Sequence, residues 1–432
     1  MTAQPSPAWT LLATNWLTPR RIRAQALVLA VCLWGVCAVD FATPGLFDRA
    51  GNIKFQDFLQ FPIAAHLVTQ GRAAELYNNH IVDDESRTIV GRETTIHLQY
   101  FYGPQVALLF VPLQRLSFLT AAEIWVTLSL LAYFGCVYLT WRSCRSLRPY
   151  PGLVAVCAAA YPPVFHFFVR GQISAAALLC FTAALIAFRA QRDWLAGIAL
   201  GFLVFKPQFL VALPLVLLLS QAWKALAGLA LSVVAQFVFT FLYFGRSVML
   251  LYFSMLLHSA SRPSTTELSL SPIQMHSLYS FWSLLIPWPP GAAALYILSA
   301  VFVIGIAAVV WKSSLPLPPR FSALILAAVL VNPHLYVYDL LVLAPALLLL
   351  FDWSVYRSVD LSVDCPHDRT SYTSAPVLRD LLYLAFVLPL IGPLSRWTHL
   401  QLSVVVFAAL LWILYRIATR GHKLASTESA IV

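Results

Sequence analysis

Long apolar runs separated by short polar segments repeat along the whole chain. A membrane-spanning helix needs about 20 mostly apolar residues, and shorter helices occur inside a bundle. The runs are continuous stretches of Leu, Ala, Val and Phe without strict alternation, which favours helices over a closed barrel. The pattern predicts an all-α polytopic membrane protein with about twelve transmembrane helices, at 23–43, 118–141, 151–168, 172–189, 194–205, 208–221, 223–244, 291–312, 320–332, 335–351, 378–394 and 399–418.

Composition supports this fold class. Hydrophobic residues make up 60% of the 432 residues and charged residues 11%, whereas a soluble domain carries roughly 25% charged residues. We therefore expect one membrane domain over 1–432, with a retained first helix and no cleaved signal peptide. The seven cysteines are scattered and form no CxxC or Cys/His spacing, so neither a disulfide framework nor a zinc site is indicated.

The positions of the basic residues predict the orientation of the helices. Net charge is +10, and the Lys and Arg residues cluster beside apolar runs as cytoplasmic anchors do, so no nucleic-acid partner is expected. Arg20, Arg21 and Arg23 put the N-terminus in the cytoplasm. The later basic clusters then fall inside too, provided that 102–116 is a kinked juxtamembrane or re-entrant helix.

The same orientation assigns the connecting segments to the two faces. Segments 246–258 and 276–287 are read, like 102–116, as juxtamembrane or re-entrant helices. Two large loops, 44–117 and 245–290, then lie outside, and a polar loop, 352–377, lies inside. One alternative remains open: the pair broken at Lys206-Pro207 is a single kinked span. The asymmetry between the faces indicates chemistry on the outer face.

Asp57 is the candidate general base. It lies shortly after the first span in 55–70, which has the pattern of an amphipathic helix in the membrane interface. Partial desolvation there would raise the basicity of the carboxylate and suit it to act on a hydroxyl. A surface or N-cap carboxylate is the alternative.

Three further candidates could bind an anion. Lys206 interrupts a long apolar stretch, where a charge is costly, and no acid lies near it in sequence, so a lipid phosphate is its expected partner. Arg170 and Gln172 stand where a helix begins, and a helix N-terminus attracts phosphate. Snorkelling to the interface is the alternative for Lys206, and an anchoring role is the alternative for Arg170.

His334 follows the helix-breaking Asn332-Pro333 and shares its turn with Tyr336 and Asp339. It could hydrogen-bond or protonate a phosphate oxygen, although an isolated histidine is more often structural. Arg262 and His276 in the second loop are weaker candidates. The chain contains no Walker loop, no Rossmann fingerprint, no HExxH and no GxSxG, so a soluble nucleotide-sugar or ATP site is not indicated.

In order, these segments resemble the GT-C glycosyltransferases, and most of all glycosyltransferase family 87, which includes mannosyltransferases that use polyprenyl-phosphate-mannose. The resemblance runs from about 25 to 350 and rests on order and spacing more than on any single motif. The matching residues are Asp57-Phe58, Ala64-Ala65, Gly71, Leu76-Tyr77, Tyr102-Gly103-Pro104, Pro112-Leu113, Tyr161-Pro162-Pro163, Gly171-Gln172, Gly197, Gly201, Lys206-Pro207-Gln208, His276-Ser277-Leu278, Asn332-Pro333-His334 and Tyr338.

The resemblance implies a GT-C-type bundle with periplasmic juxtamembrane helices in the first outer loop. It implies transfer of a monosaccharide, mannose by family habit, from a polyprenyl-phosphate donor to a lipid or glycan acceptor at the periplasmic side of the bacterial inner membrane. Asp57 matches the acidic residue of the first outer loop that serves as catalytic base in the family, and His334 matches an important histidine late in the bundle. Donor-phosphate binding falls to Lys206, Arg170 and Gln172, and Gln208, His276 and Tyr338 are candidate substrate-binding residues.

Two departures bear on metal use. Tyr102-Gly103-Pro104 stands where family members often have Tyr-Pro-Pro, and one acid stands at the motif in place of an Asp-x-Asp pair. A polyprenyl-phosphate donor needs no metal to neutralise a pyrophosphate, so we expect no metal and no cofactor. Attack opposite the leaving group predicts inversion.

A transporter or flippase for a lipid-linked or anionic substrate is the alternative, because broken helices with a buried Lys and His also occur there. The halves of the chain show no internal repeat, and the candidate charges fall at one face and not at mid-depth, which favours the transferase. A ligase for whole glycans would want more basic residues than 245–290 offers.

Overall fold

The computed structural model describes residues 17–91, 98–261, 274–364 and 369–428. These segments are mostly helical, and within them the extended pairings are the isolated bridges Phe47–Ile53 and Met275–Tyr336. The predicted all-α fold class is therefore confirmed.

Seventeen α-helices are assigned over the described residues. In chain order they are α1 Pro19–Phe41, α2 Gln60–Thr69, α3 Asn79–Val90, α4 Phe118–Trp141, α5 Pro151–Ala160, α6 Pro162–Arg170, α7 Ser174–Arg189, α8 Asp193–Gly201, α9 Leu213–Leu219, α10 Trp223–Ser261, α11 Leu278–Leu285, α12 Pro289–Lys312, α13 Leu317–Leu330, α14 Ala344–Asp364, α15 Arg369–Val387, α16 Ser395–Thr398 and α17 Leu402–Glu428. Short 3₁₀ segments connect several of them, among them Gln56–Leu59, Pro104–Leu113, Phe202–Phe205, Pro207–Leu210, Val337–Leu343 and Leu388–Leu394.

Seven helical segments among the described residues are long and apolar enough to cross a membrane alone, and the bent pair α5–α6 makes an eighth. Five shorter apolar helices remain, and four of them, Ser174–Arg189, Asp193–Phe205, Pro207–Leu219 and Leu317–Leu330, lie at predicted spans. All twelve predicted positions thus carry apolar helix. Four of those helices are too short to cross about 30 Å of hydrocarbon alone and have to pack inside the bundle.

α13 shows how a short helix is accommodated. Its residues from Phe321 to Leu330 are all buried, so protein and not lipid surrounds it. By contrast, α1 leaves Val28 and Val31 more than 60% exposed. Such exposure is expected of an outer helix whose solvent is lipid.

Two predicted connections differ from the structure. Residues 246–258 continue α10, which bends at Gly245 where φ is 79°. Most of the polar segment 352–377 is helical, since α14 runs to Asp364 and α15 begins at Arg369. A third connection agrees with the prediction: in the first loop, Pro104–Leu113 forms a 3₁₀ helix of 10 residues, about 20 Å long and too short to span.

Glycines hold α8 tightly against α10. A Cβ on Gly197 would lie 1.9 Å from the Ala225 carbonyl oxygen, and one on Gly228 would lie 2.0 Å from that of Trp194. Small residues of this kind allow two membrane helices to approach backbone to backbone. The contact fixes the helix that leads through Phe202–Phe205 to Lys206.

Candidate active site

Asp57 is positioned by a tight turn at the start of Gln56–Leu59. The preceding residue, Phe55, has a left-handed backbone with φ 55°, which is uncommon for a non-glycine residue. Phe58 is fully buried and packs on Phe110, with ring centroids 5.8 Å apart. This packing of the Phe58 ring fixes the turn and therefore the position of the neighbouring Asp57 carboxylate.

The helix predicted over 55–70 is present as α2, Gln60–Thr69, and protein covers its apolar face. Phe61, Ala65 and Leu67 are no more than 1% exposed, and the Phe61 ring stacks on Phe110 at 4.4 Å. The apolar face of α2 packs against the remainder of the first loop. The amphipathic pattern was interpreted as facing lipid because the sequence does not show what covers it.

Gly171 brings the end of α6 against the Asp57 turn. It ends the helix in the left-handed region with φ 70°. A Cβ here would meet the Phe58 Cβ at 2.8 Å and the Phe55 Cβ at 3.1 Å. Glycine is therefore required both for the backbone conformation and for the close approach. The approach places the next residue, Gln172, beside Asp57.

Gln172 is the centre of the hydrogen-bond network. Its Nε2 donates to Asp57 Oδ2 at 2.8 Å and to the Tyr338 hydroxyl at 3.3 Å. Its Oε1 accepts from the Tyr102 hydroxyl at 3.0 Å. The amide is 4% exposed, so these bonds form away from solvent and orient the carboxylate.

The second oxygen of Asp57 faces Arg170. Arg170 Nη1 lies 3.7 Å from Asp57 Oδ1, and the two side chains are 35% and 19% exposed. Burial raises the pKa of Asp57 above its ordinary value, more than Arg170, Gln172 and Lys206 lower it. Asp57 is thus a carboxylate of enhanced basicity with one oxygen tied to Gln172 and the other near an open cation.

Lys206 and Asp339 form a second, sealed ion pair. Lys206 Nζ contacts Asp339 Oδ1, and the two side chains are 3% and 2% exposed. Ser174 joins them: its hydroxyl donates to Asp339 Oδ1 at 2.7 Å and accepts from Lys206 Nζ at 3.2 Å. The Lys206 ammonium also lies 5.4 Å from the centroid of the Tyr338 ring. Tyr338 therefore stands between the sealed pair and Gln172.

The structure gives Lys206 an acidic partner that the sequence analysis did not find. Asp339 neutralises the ammonium. This partner was missed because Asp339 lies 133 residues further along the chain and no sequence spacing links the two residues. A signal was available, since Asp339 is a charge within an apolar run and such residues pair with one another. Sequence reasoning likewise assigned no role to Tyr102 or Ser174.

His334 lies in the turn between α13 and Val337–Leu343, where its backbone N–H donates to Asn332 Oδ1 at 2.8 Å. Burial lowers the pKa of His334, so its imidazole is neutral near pH 7 and can donate a hydrogen bond but no charge. Within the described part of the chain, no hydrogen bond or ion pair joins this ring to Asp57. The neighbouring Tyr336 ring stacks on Tyr338, with centroids 5.4 Å apart.

Neither of the other two candidate substrate-binding residues, His276 and Gln208, has a described contact with Asp57. His276 is 1% exposed, and its Nδ1 lies 2.7 Å from the Ser403 hydroxyl. Burial lowers its pKa to about 3, and its contacts mark it as a support between α17 and the turn at Leu335. Gln208 is half-buried in Pro207–Leu210, and no described contact links it to Asp57. Arg262 lies outside the described residues.

The described residues were also compared with the requirements of a metal site. Over the described ranges, no group of three or more His, Cys, Asp or Glu side chains could hold a metal ion. Metal independence stays a prediction for the reaction to test.

Comparison with known proteins gives one match. The model of glycosyltransferase family 87 matches residues 100–345, which is more than half of the 432. No curated protein and no solved structure matches. Arg170, Gln172, Lys206, His334 and Asp339 lie in the matched region, whereas Asp57 precedes it. The chain is a multi-pass membrane protein, and it belongs to glycosyltransferase family 87.

Proposed function

We propose that the protein transfers a monosaccharide, mannose in the first instance, from a polyprenyl-phosphate donor to a hydroxyl of a lipid or glycan acceptor. Family membership supports glycosyl transfer over the transporter alternative. One observation supports Asp57 as the base: its carboxylate is partly exposed, and Gln172 orients it through a hydrogen bond to Oδ2.

The proposed step is a single displacement at the anomeric carbon. The acceptor oxygen forms a bond to that carbon while its proton passes to Asp57. The bond from the anomeric carbon to the phosphate oxygen breaks, and polyprenyl phosphate leaves with the electron pair. The anomeric configuration inverts because attack and departure occur on opposite faces.

Asp57 suits the role of base for two physical reasons. Burial raises its pKa, which brings its basicity closer to that needed to accept a proton from a hydroxyl. Its Oδ2 accepts from Gln172, so Oδ1 is left to receive the proton. Positioned general bases contribute about 10²–10⁴-fold to rate.

Arg170 is the cation that we assign to the leaving phosphate. It is 35% exposed and lies on the open side of Asp57, so a phosphate can reach it, and preorganised charge of this kind is a large catalytic contribution. Lys206 loses that role because Asp339 already neutralises it. His334 can add a neutral hydrogen bond.

We further propose that the site faces the periplasm from the bacterial inner membrane, in one GT-C domain over 1–432. Arg20, Arg21 and Arg23 begin α1, and Asp57 follows its other end. Basic residues mark the cytoplasmic ends of membrane helices, which puts Asp57 on the opposite side.

The test uses the full chain in detergent or nanodiscs with radiolabelled polyprenyl-phosphate-mannose and a lipid extract of the source membranes. We expect labelled product lipid of inverted configuration, with other polyprenyl-phosphate-hexoses poorer donors. Asp57→Asn keeps an oxygen to accept from Gln172 and loses the base, so its product should fall by about 10²-fold or more. Label that crosses sealed vesicles without forming product would overturn the proposal in favour of transport.

A further inference from the structure

A second feature of the bundle lies apart from the Asp57 site: an apolar cavity of about 740 Å³. Its walls come from α1, α4, α5, α14 and α15, with Leu29, Val154, Leu348 and Leu382 among the lining residues. Ligand sites commonly have volumes of about 300–1,000 Å³. The cavity is therefore large enough for a ligand and is not a packing defect.

The walls offer a ligand almost no hydrogen bonds. Three tyrosine hydroxyls line the cavity, and each has a protein partner. Tyr133 donates to the Ala158 carbonyl at 2.9 Å, Tyr161 to the Leu340 carbonyl at 2.8 Å, and Tyr383 to Gln25 Oε1 at 2.9 Å. A cavity whose lining is this apolar favours an apolar ligand.

The cavity opens towards the lipid. Val28 and Cys32 line it, and both are exposed on α1, with Val28 65% exposed. An apolar chain can therefore enter sideways from the bilayer. No passage through a polar surface is needed, which suits a ligand that is itself dissolved in the membrane.

The far wall of the cavity is connected to the Asp57 site. Tyr161 stands at the 51° bend between α5 and α6, and its hydroxyl bonds the carbonyl of Leu340, the residue after Asp339. From Tyr161, α6 rises to Arg170 over nine residues, roughly 14 Å at 1.5 Å per residue. One helix therefore joins the cavity to the cation proposed for the phosphate.

We propose that this cavity binds the isoprenoid chain of the polyprenyl-phosphate donor, with the phosphate end directed along α6 to Arg170. The inference rests on the proposed function for the identity of the chain. The cavity walls pack around the chain, and Arg170 and Asp57 supply the chemistry. Because the chain comes from lipid and not from water, its binding is favoured by close packing in the cavity, so a chain long enough to fill the cavity should bind better than a short one.

Binding to the full-length protein tests the inference without any transfer reaction. Decaprenyl phosphate and geranyl phosphate are the long and short probes. Leu348→Trp narrows the cavity, and Leu298→Trp makes the same change on α12, where Leu298 is 67% exposed and lines no part of the cavity. We expect Leu348→Trp to weaken the binding of decaprenyl phosphate by about tenfold or more and that of geranyl phosphate much less. Leu298→Trp should leave both affinities unchanged.

Photolabelling provides a second measurement that needs no variant. Decaprenyl phosphate with a photoreactive group near the chain end should label peptides of α1, α5 and α14 in the parent protein. Labelling confined to other helices would overturn the inference, as would parent-like decaprenyl phosphate binding in folded Leu348→Trp. Equal competition by dipalmitoyl phosphatidic acid would show a general phospholipid site and also overturn it.

These outcomes separate the two proposals. Asp57→Asn should bind decaprenyl phosphate normally while its sugar transfer falls by about 10²-fold or more. Normal transfer together with a cavity that binds no chain sinks the inference alone. Chain binding without transfer from any polyprenyl-phosphate sugar sinks the proposed function alone.

Discussion

Two ion pairs stand on either side of Tyr338 and Gln172, and they differ in access. Asp57 and Arg170 lie 3.7 Å apart and are 19% and 35% exposed. Lys206 and Asp339 are in contact and are 3% and 2% exposed. Each pair joins an acid and a base, so composition does not distinguish them. Burial does: the open pair can exchange partners with a substrate, and the sealed pair cannot.

The energetics of the two pairs should differ in the same sense. An exposed ion pair contributes about 0–1 kcal/mol to stability. Removing one partner of a buried pair costs about 3–5 kcal/mol, because the other charge is left without compensation. In the proposed mechanism the open pair therefore carries the catalysis, and the sealed pair supports Tyr338 and Ser174.

The largest predicted effect on stability comes from breaking the sealed pair. Lys206→Met leaves Asp339 buried without its cation and should destabilise the protein by about 3–5 kcal/mol, measured as loss of resistance to thermal unfolding in detergent. The double variant Lys206→Met/Asp339→Asn removes both charges and should recover most of the loss. A Lys206→Met protein as stable as the parent would show that the pair is not sealed.

The next effect tests the connection between the pairs. Gln172→Leu removes the donor to Asp57 and the acceptor for Tyr102. A misplaced base costs about 10²-fold in rate, so kcat should fall by that order while KM changes little. Gln114→Leu is the matched control in the first loop, where Gln114 bonds Thr69. If both variants lose activity equally, the effect is on the fold and not on Asp57.

The smallest effect is a shift of the pH profile. Asp57 must be ionised to act, so kcat rises with pH through its raised pKa. Arg170 lowers that pKa, and Arg170→Gln should therefore raise it further and move the acid limb of kcat to higher pH. Kinetics from pH 4 to pH 8 measure the shift. A limb that stays in place would mean that Arg170 does not act on Asp57.

Much of the fold could be predicted from the sequence, because long apolar runs indicate helices within the membrane-embedded bundle. Helix positions followed from hydropathy, and Asn332-Pro333 and Lys206-Pro207 correctly indicated breaks. Gly245 did not indicate the continuation of α10, because a glycine in a polar context is equally typical of a loop. The burial of α2 could not be predicted, since an amphipathic pattern does not reveal whether lipid or protein covers its apolar face.

Several residues of the site could be predicted one by one from the sequence, but the ion pairs that they form could not. Asp57, Arg170 and Gln172 were each singled out from the sequence, and the structure brings them together. The partner of Lys206 was missed, because ion pairs in a bundle form between residues far apart in sequence. An unmatched charge in one apolar run is best paired with an unmatched charge in another, and that rule would have joined Lys206 to Asp339.

The most direct test of the account compares the two acids. Single-turnover transfer at saturating donor would be measured per folded molecule for the parent, Asp57→Asn and Asp339→Asn. We predict that Asp57→Asn loses about 10²-fold or more, whereas Asp339→Asn folds less well but keeps its rate within about tenfold. An Asp57→Asn protein that transfers sugar like the parent, while folded Asp339→Asn is inactive, would contradict the account and make Asp339 the catalytic acid–base group.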